Sequence, residues 1–230
     1  VEHKTLICGY SAAPGLWHPY AYINGGGMNL EWFRKELVEK AIGEKRIDFE
    51  ELNKAADELP ASETDPYFIP HLGGRVCPGK PDLRGAWLQL SWNHTIGHLY
   101  KAVLEGVALE YKVYTNILGR LYESFKPRAI RVTGGGGRSI LWNRLKADVL
   151  GIPVEVVSRS EGAPLGSALL AGYGAGIFPD LSAAADTWIN TLTEVKPDTA
   201  KARLYEKRVA RYELYMSAIN RINSGSHQGK

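Results

Sequence analysis

The stretch Ala129-Ile-Arg-Val-Thr-Gly-Gly-Gly-Gly-Arg-Ser-Ile-Leu-Trp-Asn-Arg-Leu-Lys-Ala-Asp-Val-Leu-Gly151 decides the fold. Ile130 and Val132, separated by the polar Arg131, predict a short strand. Four consecutive glycines, Gly134 to Gly137, follow. From Ser139 the pattern turns helical, with Ile140, Leu141, Leu145, Val149 and Leu150 on one apolar face. Gly151 is placed to end that helix. A strand that ends on glycines and opens a helix brings backbone close to a ligand. Without Cβ atoms nothing holds a planar ring or a phosphate away, and the first N–H groups of the helix lack partners.

The turn is no P-loop, because no Lys-Ser or Lys-Thr follows at the required distance. It also fails the G-x-G-x-x-G fingerprint, since Ser139 stands where the last glycine belongs. From these residues alone, a tight strand-to-helix turn with no ligand reads equally well.

The surrounding motifs add weight. Downstream run Ala147-Asp148-Val149-Leu150-Gly151-Ile152-Pro153-Val154 and Glu161-Gly162-Ala163-Pro164-Leu165-Gly166-Ser167-Ala168. Upstream stand Pro81-Asp82-Leu83-Arg84-Gly85-Ala86-Trp87 and His98-Leu99-Tyr100-Lys101-Ala102-Val103-Leu104-Glu105-Gly106-Val107-Ala108. Together with the glycine run and Leu141-Trp142, they closely resemble the C-terminal domain of FGGY carbohydrate kinases, in a version more like xylulokinase than glycerol kinase. The resemblance extends from about Trp17 to Pro179.

Bulk properties agree with a globular enzyme domain. The 230 residues are 44% hydrophobic and 23% charged, which argues against disorder and against a fibre. The net charge is +3, with acids and bases interspersed, so no nucleic-acid partner is indicated. The densest mixed cluster, Lys201 to Arg211, reads as the solvated face of a helix. Cys8 and Cys77 form no Cys-x-x-Cys pair, so neither zinc nor a disulfide framework is expected, and a cytoplasmic location follows. No run of apolar residues is long enough for a membrane span, and Val1-Glu2-His3-Lys4 is too polar for a secretory signal. A start at Val1 without methionine suggests a piece of a longer chain.

In chain order, Lys4 to Gly9 and Tyr20 to Asn24 predict a β-hairpin about Pro14-Gly15, with Trp17 and His18 near its bend. His18 lacks an orienting carboxylate at any fixed spacing and reads as structural. Gly25 to Gly27 precede a helix marked by Leu30, Phe33, Leu37 and Val38 and running to about Ile42. Phe49 to Leu59 is an amphipathic helix, and Tyr67 to Pro70 a buried strand. His71 to Arg84 is a long irregular excursion, and Gly85 to Ser91 another strand. Asn93 or Thr95 caps a core helix to about Tyr122, in which Glu105 is expected to bond backbone or an arginine rather than to catalyse. A strand at Val154 to Val157 precedes a small-residue helix, Pro164 to Ala175, suited to close packing. An element near Trp188-Ile189 and a long helix from about Thr199 follow. The tail, residues 224–230, is polar and expected to be disordered.

Alternating strands and helices indicate an α/β domain. The resemblance implies more: a ribonuclease H-like fold shared with actin and hexokinase, a mixed sheet flanked by helices, and residues 1–223 as the ATP-binding domain. It implies that Gly134 and Gly135, with Gly136 beside them, lie against adenosine, and that Ser139 bonds the adenine edge. Gly27 matches a glycine on the approach to Trp32, where nucleotide phosphates pass. Arg138 either reaches a phosphate or covers the helix start. ATP and Mg²⁺ are the implied cofactors, a sugar such as D-xylulose or a related ketose or polyol the substrate, and a homodimer possible.

The catalytic aspartate and the sugar-binding N-terminal domain of such kinases match nothing in this chain, so no catalytic residue and no metal ligand is expected here. Two departures stand out: Gly74 replaces an acidic residue in Gly73-Gly74-Arg75-Val76-Cys77-Pro78, and Gln89 replaces a glycine. A non-catalytic binding or scaffolding module is the alternative, marked by an exposed apolar face around the hairpin. A glycine-rich structural domain without nucleotide affinity is the third reading.

Overall fold

The computed structural model describes residues 6–77, 79–158 and 162–225. The chain opens with a hairpin of β1 (Ile7–Tyr10) and β2 (Trp17–Tyr20), paired antiparallel. Its second strand starts three residues earlier than the sequence predicts. Trp17 and His18 therefore lie within β2, opposite Tyr10 and Gly9, rather than at the bend. Helix α1 (Gly26–Trp32) continues as a π-helical stretch, Phe33–Glu39, and a 3-10 turn, Lys40–Ile42. Asp48 caps α2 (Phe49–Asp57) by accepting from Glu51 N–H.

Strands β3 (Tyr67–Ile69) and β4 (Ala86–Leu88) pair antiparallel across the excursion at 71–84. Within that excursion Gly74 has φ +85°, and a Cβ there would come within 2.6 Å of the Pro81 carbonyl oxygen. The acidic residue usual in the family would not fit this turn without strain. Pro78 lies outside the described residues. After β4, Gln89 adopts φ 65° in place of the family's glycine. Its amide donates to the carbonyls of Glu63 and Asp65, and its oxygen accepts from Tyr215, contacts that hold a conformation costly for a non-glycine residue.

Helix α3 (Ile96–Leu121) is the centre of the molecule. Thr95 and His98 form a capping box at its start. The sequence predicts a single apolar stripe, yet from Tyr100 to Glu110 every residue is buried. Neighbours surround the helix: α2, β3, α4 and α7 all pack on it. At Gly106 a Cβ would collide with the Phe68 carbonyl, so glycine lets α3 and β3 touch backbone to backbone.

Strand β5 (Ile130–Val132) leads through the glycine turn into α4 (Ile140–Leu150), which Gly151 ends at φ 72°. Ile140 is exposed, while Leu141, Leu145, Val149 and Leu150 are buried as expected. Strand β6 (Val154–Val157) lies parallel to β5, and β7 (Thr191–Val195) pairs antiparallel on its other side. The order β5-β6-β7 is thus a small mixed sheet. The hairpin β1–β2 forms a separate sheet.

Helix α5 (Gly162–Gly174) buries only Leu169 and Gly172, so its small-residue surface packs less than the composition predicts. Residue Glu161 before it lies outside the described residues. The element near Trp188 is a short helix, α6 (Leu181–Trp188), capped by Asp180. Helix α7 (Thr199–Gly225) closes the fold. Ser224 and Gly225 belong to α7 rather than to a tail, and 226–230 lie outside the described residues. No described helix is long and apolar enough to cross a membrane.

The mixed charge cluster on α7 is not wholly solvated. Arg208 is 1% exposed and donates to the carbonyls of Ser62, Asp65 and Pro66. Its Nη2 meets Glu105 Oε2 at 3.0 Å, and Tyr205 donates to Glu105 Oε1 at 2.6 Å. Of the two partners expected for Glu105, backbone or an arginine, the structure supplies an arginine, Arg208. A parallel cluster one helix turn along joins Glu110 to Arg75, Tyr212 and His71. Burial would raise the Glu110 carboxyl, but these partners hold it below its usual range.

Glu105→Leu leaves Arg208 charged in the interior without its partner, and should cost about 3–5 kcal/mol in urea denaturation. Glu105→Gln keeps the shape and one acceptor oxygen for Arg208, while the Tyr205 hydroxyl can turn to accept from the new amide N–H, and should cost markedly less. Equal stability of the Leu variant and the parent would remove the cluster from the account of this fold.

Candidate nucleotide cleft

The glycine turn is shaped by its own backbone and then held from below. Gly134 sits at φ 74°, ψ −172°, a region open to glycine, and swings the chain out of β5. Gly135–Gly137 make one 3-10 turn, in which Gly137 N–H donates to Gly134 O and Arg138 N–H to Gly135 O, both at 3.1 Å. Such a turn leaves the N–H groups at its head without partners inside it. From α4, Asn143 Nδ2 donates to Gly137 O at 2.7 Å and Lys146 Nζ to Gly136 O at 3.1 Å. Ser139 caps α4, its Oγ accepting from Trp142 N–H at 3.2 Å, which leaves the hydroxyl proton to donate elsewhere.

Above the turn lies a cleft of about 470 Å³. Helix α1 contributes Gly27, Leu30 and Glu31, α2 Phe49 and Asn53, and α3 Tyr100 and Leu104. The turn and α4 supply Gly135, Gly136, Arg138, Ser139 and Trp142. Four of the five residues singled out from sequence, Gly27, Gly135, Gly136 and Ser139, therefore meet on one wall-to-wall space. Gly134 is not among its lining residues, and its requirement is conformational.

The glycines differ in what they leave room for. A Cβ at Gly27 or Gly135 would meet nothing within 4 Å. At Gly136 it would stand 2.7 Å from Trp142 Cζ3, so the ring of α4 already demands glycine there.

Three neighbours were not expected at a site from sequence. Asn53 and Tyr100 come from helices remote in sequence, and Tyr100 donates to Asn53 Oδ1 at 3.0 Å. Lys146 is 4% exposed and stands 4.2 Å from the centre of the Trp142 ring. Its i, i+4 spacing from Trp142 inside an apolar run was the available signal. Burial pushes its pKa down to about 8.

A second opening of about 780 Å³ lies on the far side of Gly136 and Trp142, between the hairpin, α3 and β5. The His18 side chain, stacked on Tyr20 in the hairpin, makes no hydrogen bond or ion pair among the described residues. Asp148 is buried and accepts from Asp198 N–H at 2.7 Å, which ties α4 to the start of α7.

The sequence model of the FGGY family of carbohydrate kinases, C-terminal domain, matches residues 4–175. The chain belongs to this family. Among curated FGGY relatives, the L-xylulose/3-keto-L-gulonate kinase of Escherichia coli K12 is 30% identical over 220 residues, covering 89% of this chain and 42% of its own length. The L-fuculokinase of the same organism is 38% identical over 177 residues, covering 77% of this chain and 34% of its own. The chain thus spans about two-fifths of the relatives it matches. The crystal structure of xylulose kinase from Rhodospirillum rubrum superposes with TM-score 0.79 at 27% identity, covering 96% of this chain and 43% of that one. The actin- and hexokinase-like ATPase fold of FGGY kinases is therefore the fold of this chain.

In this FGGY domain the buried Lys146 carries a pH signature. Its folded pKa lies below the usual lysine range, so between about pH 8 and 10.5 the unfolded chain binds more protons and stability rises with pH. Below about pH 8 the penalty is complete, on the order of 3 kcal/mol. Lys146→Met should flatten that rise in denaturation curves recorded from pH 7 to 10.5. Identical slopes for parent and variant would place the lysine in water.

Proposed function

We propose that this chain is the nucleotide-binding half of a sugar kinase, holding MgATP while its γ-phosphoryl passes to a sugar hydroxyl. The observation that carries the reading is the convergence of Gly27, Gly135, Gly136 and Ser139, from segments over a hundred residues apart, on one cleft.

The residues present fit an adenosine. The volume lies in the range of small-ligand sites, and Leu30, Phe49, Leu104 and Trp142 offer apolar surface to a planar base. Glycine at 27 and 135 leaves the floor open, and Ser139 supplies a donor. Glu31, the one carboxylate of the lining, is paired with Arg34 at 2.8 Å, and Arg138 adds a cation to the same lining. Bound ATP would supply the phosphoryl group, with Mg²⁺ neutralising its charge.

What this chain's residues do is bind and orient. Gly135 and Gly136 admit the nucleoside to the backbone, Ser139 fixes its edge, and Arg138 at the rim faces the phosphate side. The base that orients the attacking hydroxyl belongs to the other half of the kinase, because the buried Asp148 is committed to Asp198 N–H. On this reading residues 1–223 form one domain, the sugar is a pentulose such as xylulose or a related ketose or polyol, and the chain alone does not catalyse. Sugar phosphorylation by this chain at enzyme-like rates would overturn that last point.

Calorimetric titration with MgADP tests the site. Gly135 has an ordinary backbone conformation and open space at its Cβ, so Gly135→Val should leave the fold intact and abolish saturable binding. Equal binding by parent and variant would move the nucleotide elsewhere.

One observation favours the alternative of a partner-binding module. Tyr10 (76% exposed), Leu16, Trp17 and Tyr20 form an exposed apolar surface on the hairpin. If that surface pairs this chain with another copy, Trp17→Ser should shift its sedimentation towards monomer.

A further inference from the structure

We infer that Asn53 is a base-reading residue of this cleft, its side-chain amide donating to an acceptor atom of a purine, with Tyr100 as the residue that sets its orientation. The inference rests on the nucleotide reading above and goes beyond it, because no glycine or serine of the turn accounts for a second polar group in the space.

The argument begins with the hydrogen-bond inventory of a carboxamide, which has an acceptor oxygen and a donor nitrogen. Asn53 Oδ1 is engaged by the Tyr100 hydroxyl at 3.0 Å. Tyr100 is buried, and burial pushes its phenol above its usual range, so at neutral pH it remains a proton donor. In the structure Oδ1 faces this phenol, which turns Nδ2 away from it. The Nδ2 group has no protein partner among the described residues. Asn53 is half-buried on the cleft wall, on α2, and Ser139 lines the same space. Its oxygen is likewise occupied, by Trp142 N–H, so it too presents a proton.

Of the three neutral polar side chains lining this space, Tyr100 spends its proton on Asn53, and Asn53 and Ser139 remain as donors. Their complement is a flat molecule with acceptors on its edge, and purine ring nitrogens supply them. Phosphate oxygens also accept, but Leu30, Phe49, Leu104 and Trp142 make these walls apolar, and an anion is costly to bury against them. A donor that binding closes off from water disfavours a ligand that leaves it unpaired. Asn53 thus adds discrimination between bases, as well as affinity.

The test is calorimetric titration of this chain, and of its Asn53→Leu and Tyr100→Phe variants, with MgADP and with MgUDP. Thermal melts check that each variant folds. For Asn53→Leu we expect MgADP binding to weaken about tenfold, the worth of one net hydrogen bond, with a much smaller effect on MgUDP. The ratio of the two dissociation constants should fall accordingly. Tyr100→Phe, which frees the amide to turn, should lower the same ratio by a smaller factor. A structural role for Asn53 would change both ligands alike and leave the ratio unmoved. An unchanged ratio with intact MgADP binding overturns the role of Asn53 and leaves the glycine cleft standing. Absence of MgADP binding in the folded parent overturns both.

Discussion

The fold depends on an ion pair placed where water does not reach. Glu105 on α3 and Arg208 on α7 are both 1% exposed; Glu105 accepts from Arg208 and from Tyr205 of the same helix, and Arg208 also bonds a third segment. Arg208 gathers the carbonyls of Ser62, Asp65 and Pro66, and stacks 4.1 Å from the centre of the Tyr67 ring. Lys101 reaches Asp65 and the carbonyls of Leu59 and Pro60 from the next turn of α3. Buried charges are tolerable only when paired and bonded in this way, so the cluster fixes one relative placement of α3, α7 and the 59–67 loop. Lys207 and Arg211 on the same helix point outward, which shows how narrow the buried stripe is.

That placement matters for the cleft because α3 is its back wall. Tyr100 and Leu104 line the cleft, while Leu104 O also accepts from Trp142 Nε1 at 3.0 Å. One helix therefore positions the α2 residue Asn53 through a phenol and the α4 residue Trp142 through a carbonyl. The glycine turn inherits its position in the same way. Lys146 and Asn143 hold its carbonyls, and both project from α4, which is packed on α3. The rigid helices thus present the flexible glycines in one arrangement.

Much of this was legible beforehand. The strand, glycine turn and helix at 129–151 follow from alternation, loss of Cβ and a helical period. The capping role of Gly151 was legible too, whereas the cap that Ser139 forms emerged only in the structure. The resemblance to FGGY kinases rests on ordered motifs, and the family match and the fold agree with it. For Glu105 a bonding role, to backbone or to an arginine, was legible, and the structure selects the arginine. The misses have physical causes. Charge patterning on α7 shows which residues alternate, but not that Arg208 faces a carboxylate about a hundred residues away. The single stripe expected for α3 came from its apolar residues. A helix packed on all sides also buries Lys101, Glu105 and Glu110, and polar letters conceal that burial. Gln89 shows the reverse: a missing glycine signalled altered packing, while the backbone kept the glycine conformation through side-chain bonds.

The sequence by itself determined the local grammar: which segments become helix or strand, where glycine lets the chain turn, and which family the motifs belong to. These properties depend on neighbours a few residues apart, where period, capping and steric rules act. Only the tertiary structure decided that Gly27 and Ser139 share a cleft, that Gly134 serves conformation and Gly136 the Trp142 ring, and that Asn53 and Lys146 belong beside them. Those outcomes depend on contacts between residues far apart in the chain. Packing, burial and hydrogen-bond satisfaction select such contacts for the whole molecule at once, and no short stretch of sequence encodes them.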